Sequence, residues 1–427
     1  MSVLRLTLLA ALLGTLAACG DGGGGGSTPT TPPPANGAPQ IQSFSASPAT
    51  LQVGQSAILS WQASGASSYS IAPGVGAVSG NSVAVAPVAT TTYTLTASNG
   101  SGSVTATTIV TVTPVGTPTT QYGSMNVASL GTGASLNGAI PFPADNAWNR
   151  DVSAAPVDPN SANLIATIGV SRGLHPDFGA GLYDGAPIGI PYQVVSGSQG
   201  KVRINFTAYG DESDPGPYPV PAGAPIEGQR PDGATFDGDR HVLIVDKDNN
   251  RLYELYRAFP QADGSWNADS GAVFSLDSNT VRPGGKPGWT SADAAGLPIF
   301  PGLVRYDEAA SGTIRHAFRF TVSQSRKAYV PPATHAAASS TDPNRPPMGM
   351  RVRLKASFVI PASFSTEGRA ILQAMKTYGM IVADNGSNWY VSGAPDPRWN
   401  NDKLLSELGS AKGSDFEVIR MDGLVTP

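Results

Sequence analysis

The sequence predicts a mainly β protein: a small β-sandwich followed by a larger β-sandwich or jelly-roll-like domain with few helices. Three observations predict it. Glycine and proline are abundant, at 50 and 37 of 427 residues, while charged residues make up only 14%, a balance that suits strands joined by turn-rich loops. Apolar and polar residues alternate in short runs, which is the period of a half-buried strand. Charge is segregated. No Asp, Glu, Lys or Arg occurs between Gly22 and Ala144, so acid–base and ionic chemistry belongs to residues 145–427.

Residues 1–18 have a basic start at Arg5 and an apolar run from Leu8 to Leu16, too short for the roughly 20 residues a membrane span needs. They read as a secretory signal. Leu16-Ala17-Ala18-Cys19 closes it, and Cys19 is the one cysteine of the chain. This ending resembles the lipobox of bacterial lipoproteins. The resemblance implies that Cys19 is lipidated and becomes the first residue, with the lipid bilayer as partner. Gly20 comes after it in place of Asp, which by the family's sorting rule implies the outer membrane if the host is Gram-negative.

Residues 19–40 form a Gly/Pro/Thr-rich tether with too little apolar content to make a core. Residues 41–114 form the small sandwich. Ala57, Leu59 and Trp61 alternate with Ile58, Ser60 and Gln62, and Tyr93, Leu95 and Ala97 alternate with threonines. The phrases Ser45-Ala46-Ser47-Pro48, Leu59-Ser60-Trp61 and Thr90 to Ala97 resemble bacterial immunoglobulin-like domains of cell-surface proteins. Trp61 reads as core and the domain as a spacer; the alternative is a glycan module with Trp61 or Tyr69 as stacking platform. Residues 115–138 read as a Gly/Ser/Thr linker.

The large domain, 139–427, holds all four histidines and five of the six tryptophans. Strands are expected over 201–209, 241–245, 252–256, 313–322 and 351–360, with a hairpin turn at Asp246 to Asn250. Ser365 caps a helix closed by Gly379, and Asn401–Leu408 is a second. The working residues are expected in loops. Asp177 and Asp293 are the candidate catalytic carboxylates, and His175 or His241 the proton carrier. Arg305, Trp289 and Trp389 are candidates for substrate binding. Asp211 to Asp214 suits either a solvated turn or a calcium loop. No HExxH or HxH spacing is present, so no metal and no cofactor is expected.

Arg315 and Arg319 alternate on one expected strand, Arg351, Arg353 and Lys355 on another, and Arg203 lies on a third. If these strands are neighbours, they form a cationic face suited to an acidic polysaccharide; otherwise they are a solvated face. The mild net charge of −4 leaves no basic footprint for nucleic acid. The phrases Trp289 to Ile299 and Gly393 to Trp399 resemble secreted bacterial proteins to which no activity attaches. The expected function is a surface-anchored lipoprotein whose large domain acts on polysaccharide, as glycoside hydrolase or lyase. The alternatives are a non-catalytic glycan-binding or adhesion lipoprotein and a structural envelope protein. Nothing in the sequence speaks to oligomeric state.

Overall fold

The computed structural model describes residues 37–52, 56–87, 89–113, 120–234, 238–282 and 288–427. Cys19, the signal segment and the tether up to residue 36 lie outside the described residues. The chain is mainly β and divides into two compact units between Val115 and Gly116.

The small unit is a two-sheet sandwich. One sheet orders Gln40–Ser47, Ala57–Ser64 and Ser82–Val85. The other orders Thr50–Gln52, Gly102–Thr113, Thr91–Asn99, Ser68–Ala72 and Gly76–Val78. Alternation does the sorting. In Ala57–Ser64 the buried positions are Ala57, Leu59 and Trp61, which meet Ile71, Tyr93, Leu95 and Val110 of the facing sheet. Trp61 is 3% exposed and packs at 6.1 Å from Tyr69, so its ring is core.

Two sheets organise the large unit. A five-stranded sheet orders Gly131–Thr132, Tyr192–Val195, Val242–Asp246, Arg251–Tyr256 and Ser270–Ser275. A six-stranded sheet orders His175–Asp177, Tyr390–Ser392, Phe318–Val322, Met380–Asn385, Arg351–Leu354 and Phe416–Val418, mixing parallel and antiparallel pairs. The main core lies between them: Leu243, Val245 and Phe274 from one sheet, Phe318, Phe320, Val352 and Val391 from the other. The opposite face of the five-stranded sheet carries Val242, Ile244 and Leu255 into a second core with Tyr218 and Trp266. Because both faces are covered, Val242–Asp246 is buried at every position.

The expected hairpin forms, with Val242–Asp246 antiparallel to Arg251–Tyr256. Thr366–Thr377 is helical with Ser365 as cap, whose Oγ accepts from the Gly368 amide at 3.0 Å. Gly379, at φ 71°, closes it in the left-handed region. Asn401–Leu408 is helical as expected, and Ser161–Ile168 and Tyr306–Ala310 are two further helices.

Residues 120–138, expected as linker, belong to the large unit. Gln121–Tyr122 pairs with Ala139–Ile140, and Met125 and Leu136 are buried in the main core. The expected cationic face is also corrected. Phe318–Val322 and Arg351–Leu354 share a sheet, but Arg203 adjoins Ile204–Phe206, which lies in a different one. Arg319, Arg351 and Arg353 are all buried. Arg351 donates to the Ala147 carbonyl at 2.6 Å, and Arg353 pairs with Glu417 at 2.8 Å and donates to the Val152 carbonyl. Loops laid over the sheet cover these side chains, so none of the three presents a surface to a polymer.

Candidate functional site

A cleft of about 330 Å³ opens where the loop carrying Asp293 meets the C-terminal end of Met380–Asn385. Four acidic residues line it, Glu212, Asp239, Asp293 and Asp384, together with Tyr209 and Tyr256. His335 also reaches it and is held by its Nδ1 to the Ala294 carbonyl at 2.7 Å. No lysine or arginine among the described residues lines the cleft.

The Asp293 loop is folded by its own small polar residues. Ser291 Oγ donates to the Leu297 carbonyl at 2.7 Å and accepts from the Asp293 amide at 2.9 Å. Gly296 takes φ 73° and its amide donates to the Asp293 carbonyl; a side chain there would strike Thr334. The loop thereby turns Asp293 inward until its side chain has no exposure.

Arg319 lies behind the cleft in the middle of the six-stranded sheet. Its guanidinium is 3.3 Å from Asp293 Oδ1, 4.0 Å from Asp384 Oδ2 and 2.8 Å from Ser392 Oγ. Two carboxylates thus share one cation. Burial pushes the Asp293 carboxyl up to about 7, against the opposing pull of Arg319 and with help from the Asp384 charge. Burial also raises Asp384, and Arg319 again opposes it. Asp293 Oδ2 is buried and has no hydrogen-bond partner.

Next to this pair stands His241, at the entry to Val242–Asp246. Its Nδ1 meets Glu227 Oε2 at 2.5 Å and its Nε2 meets the Ala292 carbonyl at 3.0 Å. Burial acts to lower the His241 pKa, but the Glu227 carboxylate overrides it and holds the imidazolium up to about 9. Burial acts to raise Glu227, and the His241 charge and hydrogen bonds bring it below the usual carboxylate range. Arg240, between Asp239 and His241, takes φ 46°, uncommon for a side-chain-bearing residue. Glu227, Asp239 and His241 are the one group of three acidic or histidine side chains among the described residues placed to hold a metal ion.

Of the expected catalytic residues, Asp293 lines the cleft and His241 touches its wall through Ala292. Asp177 is an exposed residue, and it pairs in register with Ser392, the residue that Arg319 holds. Partial burial of its carboxyl and the Glu227 charge raise Asp177, while His175 and Arg319 act to lower it. His175 stacks on Tyr390 at 4.1 Å and its Nδ1 is buried without a partner. Trp289 lies against Arg282 at 5.4 Å and immediately precedes the cleft-lining Thr290.

Two expected binding residues are core. Trp389 has no exposure, stacks on Phe320 at 5.6 Å and donates its Nε1–H to the Gly169 carbonyl, so it offers no face to a sugar. Arg305 is 2% exposed and is held by Glu308 at 2.7 Å, His316 and the Phe300 carbonyl. The Asp211 to Asp214 stretch is neither solvated throughout nor a cation loop: Asp214 is buried against Arg282 at 3.0 Å, and Glu212 accepts from the Thr290 amide at 2.9 Å.

No protein-family model matches the chain, and no curated protein matches it. Among solved structures it is similar to Sidekick-1 immunoglobulin domains 1-5, at 21% identity and a TM-score of 0.16. That match covers 18% of this chain and 20% of the other. No helix among the described residues is long and apolar enough to cross a membrane.

Proposed function

We propose that the large unit hydrolyses a neutral or amino-bearing polysaccharide at the Asp293 cleft, with Asp293 as proton donor and Asp384 as its partner carboxylate. The observation that carries this reading is Asp293 itself: a cleft-lining residue whose carboxyl is buried just behind the wall, with one oxygen unpartnered and its pKa raised to about 7. A general acid must keep its proton at working pH, and cleavage of a glycosidic bond needs an acid and a base set apart by environment. Asp293 and Asp384 differ in this way. Arg319 pairs with both, and Asp384 retains more solvent contact, at 28% exposure of its side chain against none.

Hydrolysis fits better than β-elimination. A lyase acting on uronates needs a cation in the cleft to neutralise the sugar carboxylate. Of the arginines expected for that task, Arg319, Arg351 and Arg353 are buried, Arg319 is committed to aspartates, and no lysine or arginine among the described residues lines the cleft. Tyr209, 49% exposed, and Tyr256 supply rings for stacking on a sugar. The small unit is read as an immunoglobulin-like spacer, and lipidated Cys19 as the anchor to the cell envelope.

The test is a screen of the purified full chain against cellulose, xylan, chitin, chitosan, pectin and alginate. New reducing ends from a neutral or amino polymer, lost in Asp293→Asn, are expected. Unsaturated uronate from pectin or alginate would replace hydrolase by lyase. Binding without product would make the large unit a glycan receptor, and neither binding nor product would remove carbohydrate from the reading.

A further inference from the structure

Beside the acid–base pair lies a constellation that proton transfer to a glycoside leaves unused. Glu227, Asp239 and His241 each offer one donor atom, and the three atoms lie within 4.8 Å of one another. The surroundings fix their orientation. His241 Nε2 faces the Ala292 carbonyl at 3.0 Å; a carbonyl only accepts, so Nε2 carries the hydrogen and Nδ1 is the nitrogen turned to the carboxylates. An imidazole that gives its far N–H to a backbone carbonyl is the common support for a metal ligand. The Glu227 amide donates to the His241 carbonyl at 3.0 Å, tying the two ligand-bearing segments together.

A second observation comes from the residue after Ala292. Asp293 lines the same cleft as Asp239 and keeps a buried Oδ2 with no partner. Two carboxylates and one imidazole with their donor atoms within 4.8 Å of one another form a set whose negative charge a divalent cation neutralises.

We propose that Glu227, Asp239 and His241 bind one divalent transition-metal cation of the zinc or manganese class. One oxygen from each carboxylate and Nδ1 of the imidazole are the ligands. The mixed nitrogen–oxygen set selects this class over calcium, which takes oxygen ligands alone, and over ions that favour sulfur. Three protein ligands leave coordination positions open, and Asp239, the exposed member, sets them at the cleft. The proton now between Nδ1 and Glu227 leaves for solvent as the ion enters, and the 2.5 Å contact widens by roughly 0.5–1 Å to admit bonds of about 2.0–2.2 Å. This site rests on the donor geometry and not on the polysaccharide reading.

Calorimetric titration of the untagged, chelator-treated full chain with zinc chloride and with manganese chloride tests it. One saturable site per chain is expected, with proton release that scales with buffer ionisation enthalpy. Asp239→Asn, a change at an exposed side chain, weakens binding at least tenfold, and Glu227→Gln does the same; circular dichroism checks that both fold. His241→Gln abolishes binding if it folds, and the other two variants decide the matter if it does not. No saturable binding by the folded wild-type chain, or equal affinity in wild type and Asp239→Asn, overturns the proposal whatever the glycan screen returns.

Discussion

The small and large units are stabilised differently, and the contrast locates the chemistry. Every buried polar or charged side chain among the described residues lies at Asn149 or later; the small sandwich buries only apolar ones. Its exposed Ile58 and Ile109, at 53% and 54%, mark the outward phase of the same alternation that buries Leu59 and Val110. The large unit instead buries arginines and carboxylates, at a desolvation cost that ion pairing only partly offsets. Within it lies a second contrast. Asp214–Arg282 joins two loops and Arg353–Glu417 joins two neighbouring strands, with main-chain groups completing the network around each guanidinium. Arg319–Asp293 is open: one carboxylate oxygen has no partner, and the residue forms a cleft wall. Closed networks hold structure; the open one leaves a buried acid with an unused oxygen directly behind the cleft.

The largest effect expected from this contrast is on turnover. Asp293→Asn lowers glycan hydrolysis by roughly a hundredfold or more, the usual weight of a general acid, while closed-network changes act through folding alone. Trp389→Ala comes next. It empties a site against Phe320 and Phe416 and costs the large unit about 3–5 kcal/mol, read by denaturant unfolding. Trp61→Ala costs the small unit a similar amount, because each tryptophan anchors its own core.

A pH titration sharpens the same comparison. The unfolded chain releases the Asp293 proton near about pH 4, whereas the folded chain keeps it to about 7. The native state therefore binds more protons between these limits, and this residue's contribution to stability falls as pH rises through the window. Asp293→Asn removes that loss, so its melting temperature declines less than that of wild type over the same range. Smaller again is Arg353→Gln, which leaves Glu417 without its cation and costs about 1–3 kcal/mol with no change in polymer binding. The smallest is Arg203→Gln. Its bridge to Asp263 joins side chains 69% and 60% exposed, and the stability change stays within about 0.5 kcal/mol.

Much of the scaffold was legible in the sequence. Alternation marked Ala57–Ser64 and Thr91–Asn99, the polar turn marked the 242–256 hairpin, and Ser365 with Gly379 marked both ends of a helix. These signals are local. The Gly/Ser/Thr content of 120–138 suggested a linker because its ordering comes from distant partners: Asn250 Oδ1 accepts from the Met125 amide, and the Lys247 ammonium donates to the Ala128 carbonyl. Arg351 and Arg353 suggested a wet face because alternation cannot tell that loops near Ala147 and Val152 cover it. In the cleft, Asp293 and His241 drew notice from short polar phrases. Glu227 carried no such phrase, and only the fold sets it against His241. Arg319 was visible as a cation, but its aspartate partners came from segments distant in the chain.

The pH dependence of reducing-end release by the wild-type chain, set beside Asp293→Asn, probes the acid role of Asp293 most directly. Expected are product from a neutral or amino polysaccharide, activity falling as pH rises through about 7, and no such limb in the variant because turnover is lost at every pH. An Asp293→Asn protein that releases reducing ends at the wild-type rate would contradict that role.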